Sequence, residues 1–204
     1  MNTLRRRLCA AAGLACGLPA ALRAQGAPAA PVLVKGQAFE RQLQLAGSAL
    51  VLNGTGVRTV AWFTGFVAGL YLTARASTAA QAVAMPGPKR LRMRLMHDVP
   101  TLELAKAFKK GVARNSTAQE QAQLSARMLR FEAQIRATAK VRQGDVIDLD
   151  LDPTQGMNLR VNGTLRGEPI AGADFYAALL RSFVGDQPFD GKLKAGLLGG
   201  ASAG

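Results

Sequence analysis

The chain has 204 residues, 49% of them hydrophobic and 5% aromatic, and its 26 basic and 13 acidic residues give a formal net charge of +13. This length suits one domain with a sizeable core rather than two. The basic residues are scattered and are not interleaved with aromatic ones, which excludes nucleic-acid binding; the charge instead indicates attraction to acidic ligands and a weak association with an anionic membrane surface.

Residues 1–24 have the pattern of a signal peptide. A basic segment, residues 1–7, precedes an alanine- and leucine-rich stretch, residues 8–22, and Ala24 is a small residue suited to the cleavage position. The arginines also suit the twin-arginine route, so Sec and twin-arginine export both stay open, as does an uncleaved anchor. Cleavage would remove Cys9 and Cys16 and leave 22 basic against 13 acidic residues. We expect an exported, periplasmic protein.

The rest of the chain divides into three parts. Residues 25–37 begin with a proline- and alanine-rich stretch that has little large apolar surface, which predicts a disordered leader. The folded domain is expected over residues 38–199, and residues 200–204 form a flexible tail.

Alternating apolar residues predict strands at the start of the domain. The first begins near Ala38, and a second ends at Asn53-Gly54, a pair that favours a tight turn. Residues 59–72 then predict a long strand, because they are rich in β-branched and aromatic residues. Gly65 and Gly69 interrupt it and indicate a bulge, or a close approach of another backbone or a ligand.

The middle of the chain predicts helices around one strand. Ser77 is expected to cap a short helix that ends before Met85. Residues 89–98 alternate apolar with mostly basic residues, as in a strand. Thr101 is expected to cap the next helix, and a longer one spans residues 117–138, each with an apolar stripe at helical spacing.

The C-terminal third returns to strands and then to helices. Residues 146–152 alternate apolar residues with aspartates, and Asn162-Gly163 predicts a hairpin. Residues 173–183 and 192–198 predict two helices. Strands, helices, strands and helices in this order predict an α+β domain, in which helices cover one face of an antiparallel sheet.

No metal site and no cofactor are expected. The aspartates of residues 146–152 would point the same way about 7 Å apart on a strand, without the turn that a calcium loop uses. We expect them on a solvated face opposite Arg92 and Arg94. His97 is the single histidine, which is too few for a typical zinc site once the cysteines are removed.

Arg58 is the residue that most favours a ligand site. It lies between the glycines after Asn53 and an apolar strand that ends in Tyr71. A guanidinium is always charged, so beside an apolar wall it must reach water or bind a carboxylate or enolate-like oxygen. The alternative is an arginine that faces solvent, with its stem over apolar neighbours.

Several short motifs follow one another along the chain: Asn53-Gly-x-Gly-x-Arg58, Ala68-Gly-Leu-Tyr71-Leu, Gly87-Pro-Lys89, Asp174-Phe175, Leu179-Leu180, Gly185, Pro188 and Leu197-Leu-Gly199. Their order and spacing resemble the chalcone isomerase-like family, in particular its exported bacterial branch, over residues 38–199. The resemblance implies an open-faced β-sandwich of the chalcone isomerase type, a large antiparallel sheet covered by a layer of helices with a ligand cleft between them.

The resemblance also implies site residues. Arg58 matches the arginine that stabilises the ring-closing oxygen when the plant enzymes convert a chalcone to a flavanone. Those enzymes have a threonine near the position of Phe66, with Thr64 close by, and this departure argues against catalysis. Non-catalytic relatives hold a fatty-acid carboxylate with the equivalent arginine and a tyrosine, a role that Arg58 and Tyr71 would share.

Three functions follow as alternatives. The first is a non-catalytic protein that binds a small amphipathic or carboxylate ligand, either a fatty acid or a phenolic ketone. The second is an intramolecular lyase of the chalcone-to-flavanone type, with Arg58 as its catalytic residue. The third is a structural or partner-binding domain without a small ligand.

Overall fold

The structure, a computed structural model, describes residues 29–60, 62–138 and 140–200. The predicted signal peptide lies outside them, as do residues 201–204 of the predicted tail. The described strands are β1 Val32–Val34, β2 Gln37–Phe39, β3 Gln42–Leu45, β4 Ser48–Val60, β5 Phe63–Leu72, β6 Lys89–Leu95, β7 Val146–Asp152, β8 Gly156–Val161 and β9 Thr164–Leu165. The described helices are α1 Ala79–Ala84, α2 Thr101–Arg114, α3 Ala118–Ala137, α4 Ala173–Val184 and α5 Gly191–Leu197.

Strands β3 to β9 form one sheet in which each strand pairs with its neighbours along the chain, every pair antiparallel. The five helices lie between and after these strands, and their apolar faces pack with one face of the sheet into a large core. Phe108, Phe131, Phe175 and Phe183 belong to this helical core. None of the described helices is both long and apolar enough to span a bilayer.

Helix α3 begins with a capping box, close to the predicted start at residue 117. The Thr117 hydroxyl accepts a hydrogen bond from the Glu120 backbone N–H, and the Glu120 carboxylate accepts one from the Thr117 N–H. The two predicted caps, Ser77 and Thr101, are each off by one residue. Thr78, not Ser77, caps α1, and Thr101 is the first residue of α2 after Pro100.

Two of the three aspartates of β7, Asp148 and Asp150, are not solvated, contrary to the prediction, whereas Asp152 at the end of the strand is half-buried. Asp148 lies opposite Arg92 and Asp150 opposite Arg90, whereas Arg94 faces Val146. Two bidentate ion pairs result, with distances of 2.8 and 2.9 Å for Arg92 and 2.6 and 2.5 Å for Arg90. Both carboxylates are almost fully buried, because the arginine side chains lie over them.

Asn53-Gly54 is not a turn, which corrects the prediction. Strand β4 continues through it to Val60, and β5 begins at Phe63, so the predicted long strand contains the real turn. Asn53 is instead an extra residue in the ladder, because Leu52 pairs with Tyr71 and Gly54 pairs with Leu70. Its buried side chain donates to the carbonyls of Ala76 and Leu197.

The glycines after Asn53 allow helix α5 to approach the strand. A Cβ on Gly56 would lie 2.6 Å from the Leu193 carbonyl oxygen, and one on Gly54 would overlap the Gly196 carbonyl oxygen. Gly196 faces Thr55 in the same way. Glycine is needed here for a close backbone contact rather than for a turn.

The predicted leader is ordered from residue 32 onward. Strands β1 and β2 form a hairpin, turned by Lys35 and Gly36 at positive φ. Val34 and Phe39 pack on the sheet face opposite the helices, where they form an outer cluster with four other residues, Leu50, Leu52, Val67 and Tyr71. The hairpin is stable because it covers apolar side chains that would otherwise face water.

Candidate ligand-binding site

The bulge at Asn53 decides which face of the sheet Arg58 occupies. Leu50 and Leu52 face the outer cluster, so uninterrupted alternation would place residue 58 on that side as well. The extra residue reverses the alternation, and Gly54, Gly56 and Arg58 face the helices instead.

A cavity of about 420 Å³ adjoins Arg58 on this face. It lies between the ends of β4, β5 and β6 on one side and helices α2 and α4 on the other. A second bulge lies at this end of the sheet, because Arg58 pairs with Phe66 and Thr59 with Thr64, which leaves Gly65 without a partner on β4. The wall comprises Arg58, Val60, Phe63, Gly65, Phe66, Met93, Leu95, His97, Asp98, Val99, Pro100, Glu103, Leu104, Ala107, Phe108, Phe183 and Phe189.

Arg58 is half-buried, and its side chain is held by Phe189 from the C-terminal part of the chain. Its Nη1 donates a hydrogen bond to the Phe189 carbonyl at 3.0 Å, and its guanidinium lies 5.1 Å from the centre of the Phe189 ring. No ion pair joins it to a carboxylate anywhere in the described part of the chain. Burial lowers the pKa of the Arg58 guanidinium; attraction to Asp190 opposes that shift and repulsion from Arg114 adds to it. The group stays charged and keeps free donors.

Aromatic rings form the deep part of the wall. The Phe183 and Phe189 rings are 4.9 Å apart and meet edge to face, and Phe108 lies 6.0 and 6.1 Å from them. Phe66 contacts Phe183 at 6.4 Å. This packing fixes rigid apolar surface next to one cation, which suits an amphipathic ligand.

The acidic wall residues are already engaged elsewhere. Asp98 accepts a hydrogen bond from the Gln143 N–H at 2.8 Å, and Glu103 forms an exposed ion pair with Lys106. Among the described wall residues, Arg58 is the single lysine or arginine. It is therefore the group that would orient an anionic ligand.

The structure brings together two of the four predicted ligand-binding residues. Arg58 and Phe66 pair across β4 and β5, and both line the cavity. Thr64 lies beyond the bulge and is not among the described wall residues. Tyr71 lies on the opposite face of the sheet, in the outer cluster, so it does not share the cavity with Arg58.

Tyr71 is fully buried, and no described residue forms a hydrogen bond with its hydroxyl. Burial raises the pKa of the phenol well above its ordinary value. The pairing of Arg58 with Tyr71 came from the family resemblance, which implied that both residues hold one ligand. The bulge at Asn53 separates them, because it places the arginine on the other face of the sheet.

Sequence reasoning missed Phe189, which contributes both a carbonyl and a ring. It lies in the connection between α4 and α5, 131 residues from Arg58. A phenylalanine beside a proline and before the helix-capping Asp190 was the available signal, since a large apolar residue in a loop needs a place to pack.

Comparisons with known proteins agree with this architecture. Residues 31–199 match the family described as chalcone isomerase-like. A fatty-acid binding protein of Arabidopsis thaliana has a similar crystal structure, with a TM-score of 0.63 at 14% sequence identity, over 82% of this chain and 95% of that chain. No curated protein matches the sequence. The predicted fold class is confirmed.

Proposed function

Because the chain belongs to the chalcone isomerase-like family, we propose that it binds a fatty acid or a phenolic ketone in the cavity beside Arg58 without catalysing a reaction. The carrying observation is a charged guanidinium, unpaired with any described carboxylate, on the wall of an apolar cavity of about 420 Å³. The fatty-acid binding protein of similar fold supports the same class of ligand.

The cavity would provide affinity and Arg58 would provide orientation. Each methylene buried against the aromatic wall contributes about 0.8 kcal/mol. The carboxylate or phenolate oxygen would accept charge-assisted hydrogen bonds from the donors of Arg58 that Phe189 leaves free. The ligand head would then lie at β4, and its apolar part would extend toward Phe108 and Phe183.

The composition of the wall favours binding over catalysis. Among the described wall residues there is no serine, threonine, tyrosine or lysine, and His97 packs edge to face on Phe63 with ring centres 4.7 Å apart. Phe66 occupies the position across from Arg58. An intramolecular lyase would need further polar groups at the reacting atoms, and this wall supplies few.

The export pattern of residues 1–24 supports a periplasmic location, the one expected of an exported bacterial branch of the family. Apolar ligands are poorly soluble in that aqueous compartment, so a soluble binding protein has a role there. Detection of the processed chain in a periplasmic extract, and not in the cytoplasm, would test the location.

The ligand is tested by organic extraction of the purified protein, followed by mass spectrometry, and by calorimetric titration with dodecanoate. Arg58→Ala should weaken dodecanoate binding about ten- to a hundredfold, the size of a lost charge-assisted hydrogen bond. The dodecanoate affinity of Arg58→Lys should lie between those of the parent chain and Arg58→Ala, because lysine keeps the charge but loses the planar arrangement of donors. Arg130→Ala, at an exposed arginine of α3, is the matched control.

Unchanged binding in Arg58→Ala would contradict the site. The lyase would replace the binding role if the parent chain removes chalcone absorbance faster than the spontaneous reaction does. In that case Arg58→Ala should return the rate to the spontaneous one.

A further inference from the structure

Large apolar side chains project into solvent at the turn between β4 and β5. Trp62 is 91% exposed, and Val60 and Phe63 beside it are 38% and 36% exposed. The Trp62 and Phe63 rings meet edge to face with centres 6.5 Å apart. Tight hairpin turns ordinarily use glycine, asparagine or aspartate, so an apolar turn of this kind marks a contact surface. We call Val60, Trp62 and Phe63 the apolar tip.

The apolar tip is continuous with the cavity. Val60 and Phe63 belong to the cavity wall, whereas Trp62 points away from it into solvent. Leu102, another exposed apolar residue, lies in the first turn of α2 next to Pro100 and Glu103 of the wall. The exposed apolar surface therefore borders the opening through which a ligand would pass.

We propose that the apolar tip inserts into the interface of an anionic lipid bilayer and holds the cavity opening against it. Tryptophan suits that environment because its ring is apolar and its indole N–H can bond to head groups. A protein partner would also cover apolar rings, but the charge of the molecule favours lipid. The described residues carry 22 basic against 13 acidic side chains.

The surface near the tip supports the same partner. Lys140 and Arg142 are exposed on the segment whose Val141 bridges to Val99 of the cavity wall, and neither forms an ion pair within the described residues. The neighbouring Asp145 already accepts hydrogen bonds from the Arg142 N–H and the Asn162 side chain. Two cations without an ion pair thus lie on the segment that joins the cavity wall at Val99, where they can meet lipid phosphates.

Docking of this kind would let an apolar ligand pass between bilayer and cavity without crossing water. That consequence rests on the proposed function, whereas the docking itself does not. The two can therefore fail separately.

Trp62 is the single tryptophan of the chain, so its fluorescence reads the tip alone. The full chain is mixed with vesicles of phosphatidylglycerol and phosphatidylcholine. We expect a blue shift of the emission and quenching by brominated lipids. In sedimentation with the vesicles, Trp62→Ser should lower partitioning about tenfold, the value of burying part of a large apolar side chain. The control Leu129→Ser removes an apolar residue that is 63% exposed on α3, and it should change the partitioning to vesicles by no more than about twofold.

Several results would overturn the docking. They are an emission maximum unchanged by vesicles, equal partitioning of Trp62→Ser and the parent chain, and a Trp62-dependent dimer in sedimentation velocity without lipid quenching. Dodecanoate binding with no vesicle binding would refute the docking and leave the proposed function standing. Vesicle binding by an Arg58→Ala chain that has lost dodecanoate would support the docking alone.

Discussion

The contact between α5 and β4 makes a sharp prediction about two glycines of one helix. A Cβ on Gly196 would overlap the Thr55 carbonyl oxygen and lie 2.9 Å from the Gly56 Cα. A Cβ on Gly191, the first residue of the same helix, meets nothing within 4 Å. Gly196→Ala and Gly191→Ala therefore make the same chemical change, and only the first meets another backbone.

Two effects of opposite sign act in Gly196→Ala. Alanine is a better helix former than glycine by up to about 1 kcal/mol. Forcing a methyl group into close-packed backbone costs about 1 to 3 kcal/mol, because these atoms cannot rotate away as a side chain would. We expect a net loss of about 1 to 2 kcal/mol for Gly196→Ala, and a change between zero and a gain of about 1 kcal/mol for Gly191→Ala.

Urea unfolding followed by circular dichroism measures both variants against the parent chain. Gly196→Ala should also weaken dodecanoate binding, because a displaced α5 moves Asp190 and the Phe189 carbonyl that holds Arg58. If Gly196→Ala proves as stable as Gly191→Ala, the argument that this contact requires glycine is refuted.

Two further predictions concern ion pairs. Asp150→Leu should lower the free energy of unfolding by about 3 to 5 kcal/mol, because it leaves the Arg90 guanidinium buried without its bidentate partner. Adding Arg90→Met should recover most of that loss, and a double variant as unstable as the single one would contradict the argument. The hydrogen bonds from Arg127 lower the pKa of Asp174, so their stabilisation is present above about pH 4, the ordinary value, and is lost as pH falls through the lowered pKa. Asp174→Asn should therefore lose less stability than the parent chain between pH 6 and pH 2, measured by thermal unfolding; equal losses would count against the pair.

Features with a local cause were predictable from the sequence. The apolar stripe of residues 117–138 predicted α3 to within one residue at each end, and Asn162-Gly163 marked a hairpin in which both residues have positive φ. Alternation in β6 assigned its buried face. Each depends on residues within a few positions of one another, and a pattern in the chain records such relations directly.

Features with a distant cause were not predictable. Asn53-Gly54 has the composition of a turn, yet what decides its conformation is a helix that begins at Gly191, and the Asn53 side chain bonds to a carbonyl 144 residues away. The face occupied by Arg58 follows from the same bulge. Periodicity assumes an uninterrupted ladder and does not reveal the extra residue at Asn53, which separates Arg58 from Tyr71, the two residues that the family resemblance paired.

The bond between Arg58 and the Phe189 carbonyl joins residues 131 positions apart, and all the described strands precede Phe189 in the chain. A polypeptide truncated before residue 189 would therefore keep the guanidinium but lose the carbonyl and the ring that hold it. Under the proposed function such a fragment would bind dodecanoate more weakly than the full chain, so ligand occupancy would distinguish intact molecules from C-terminally truncated ones.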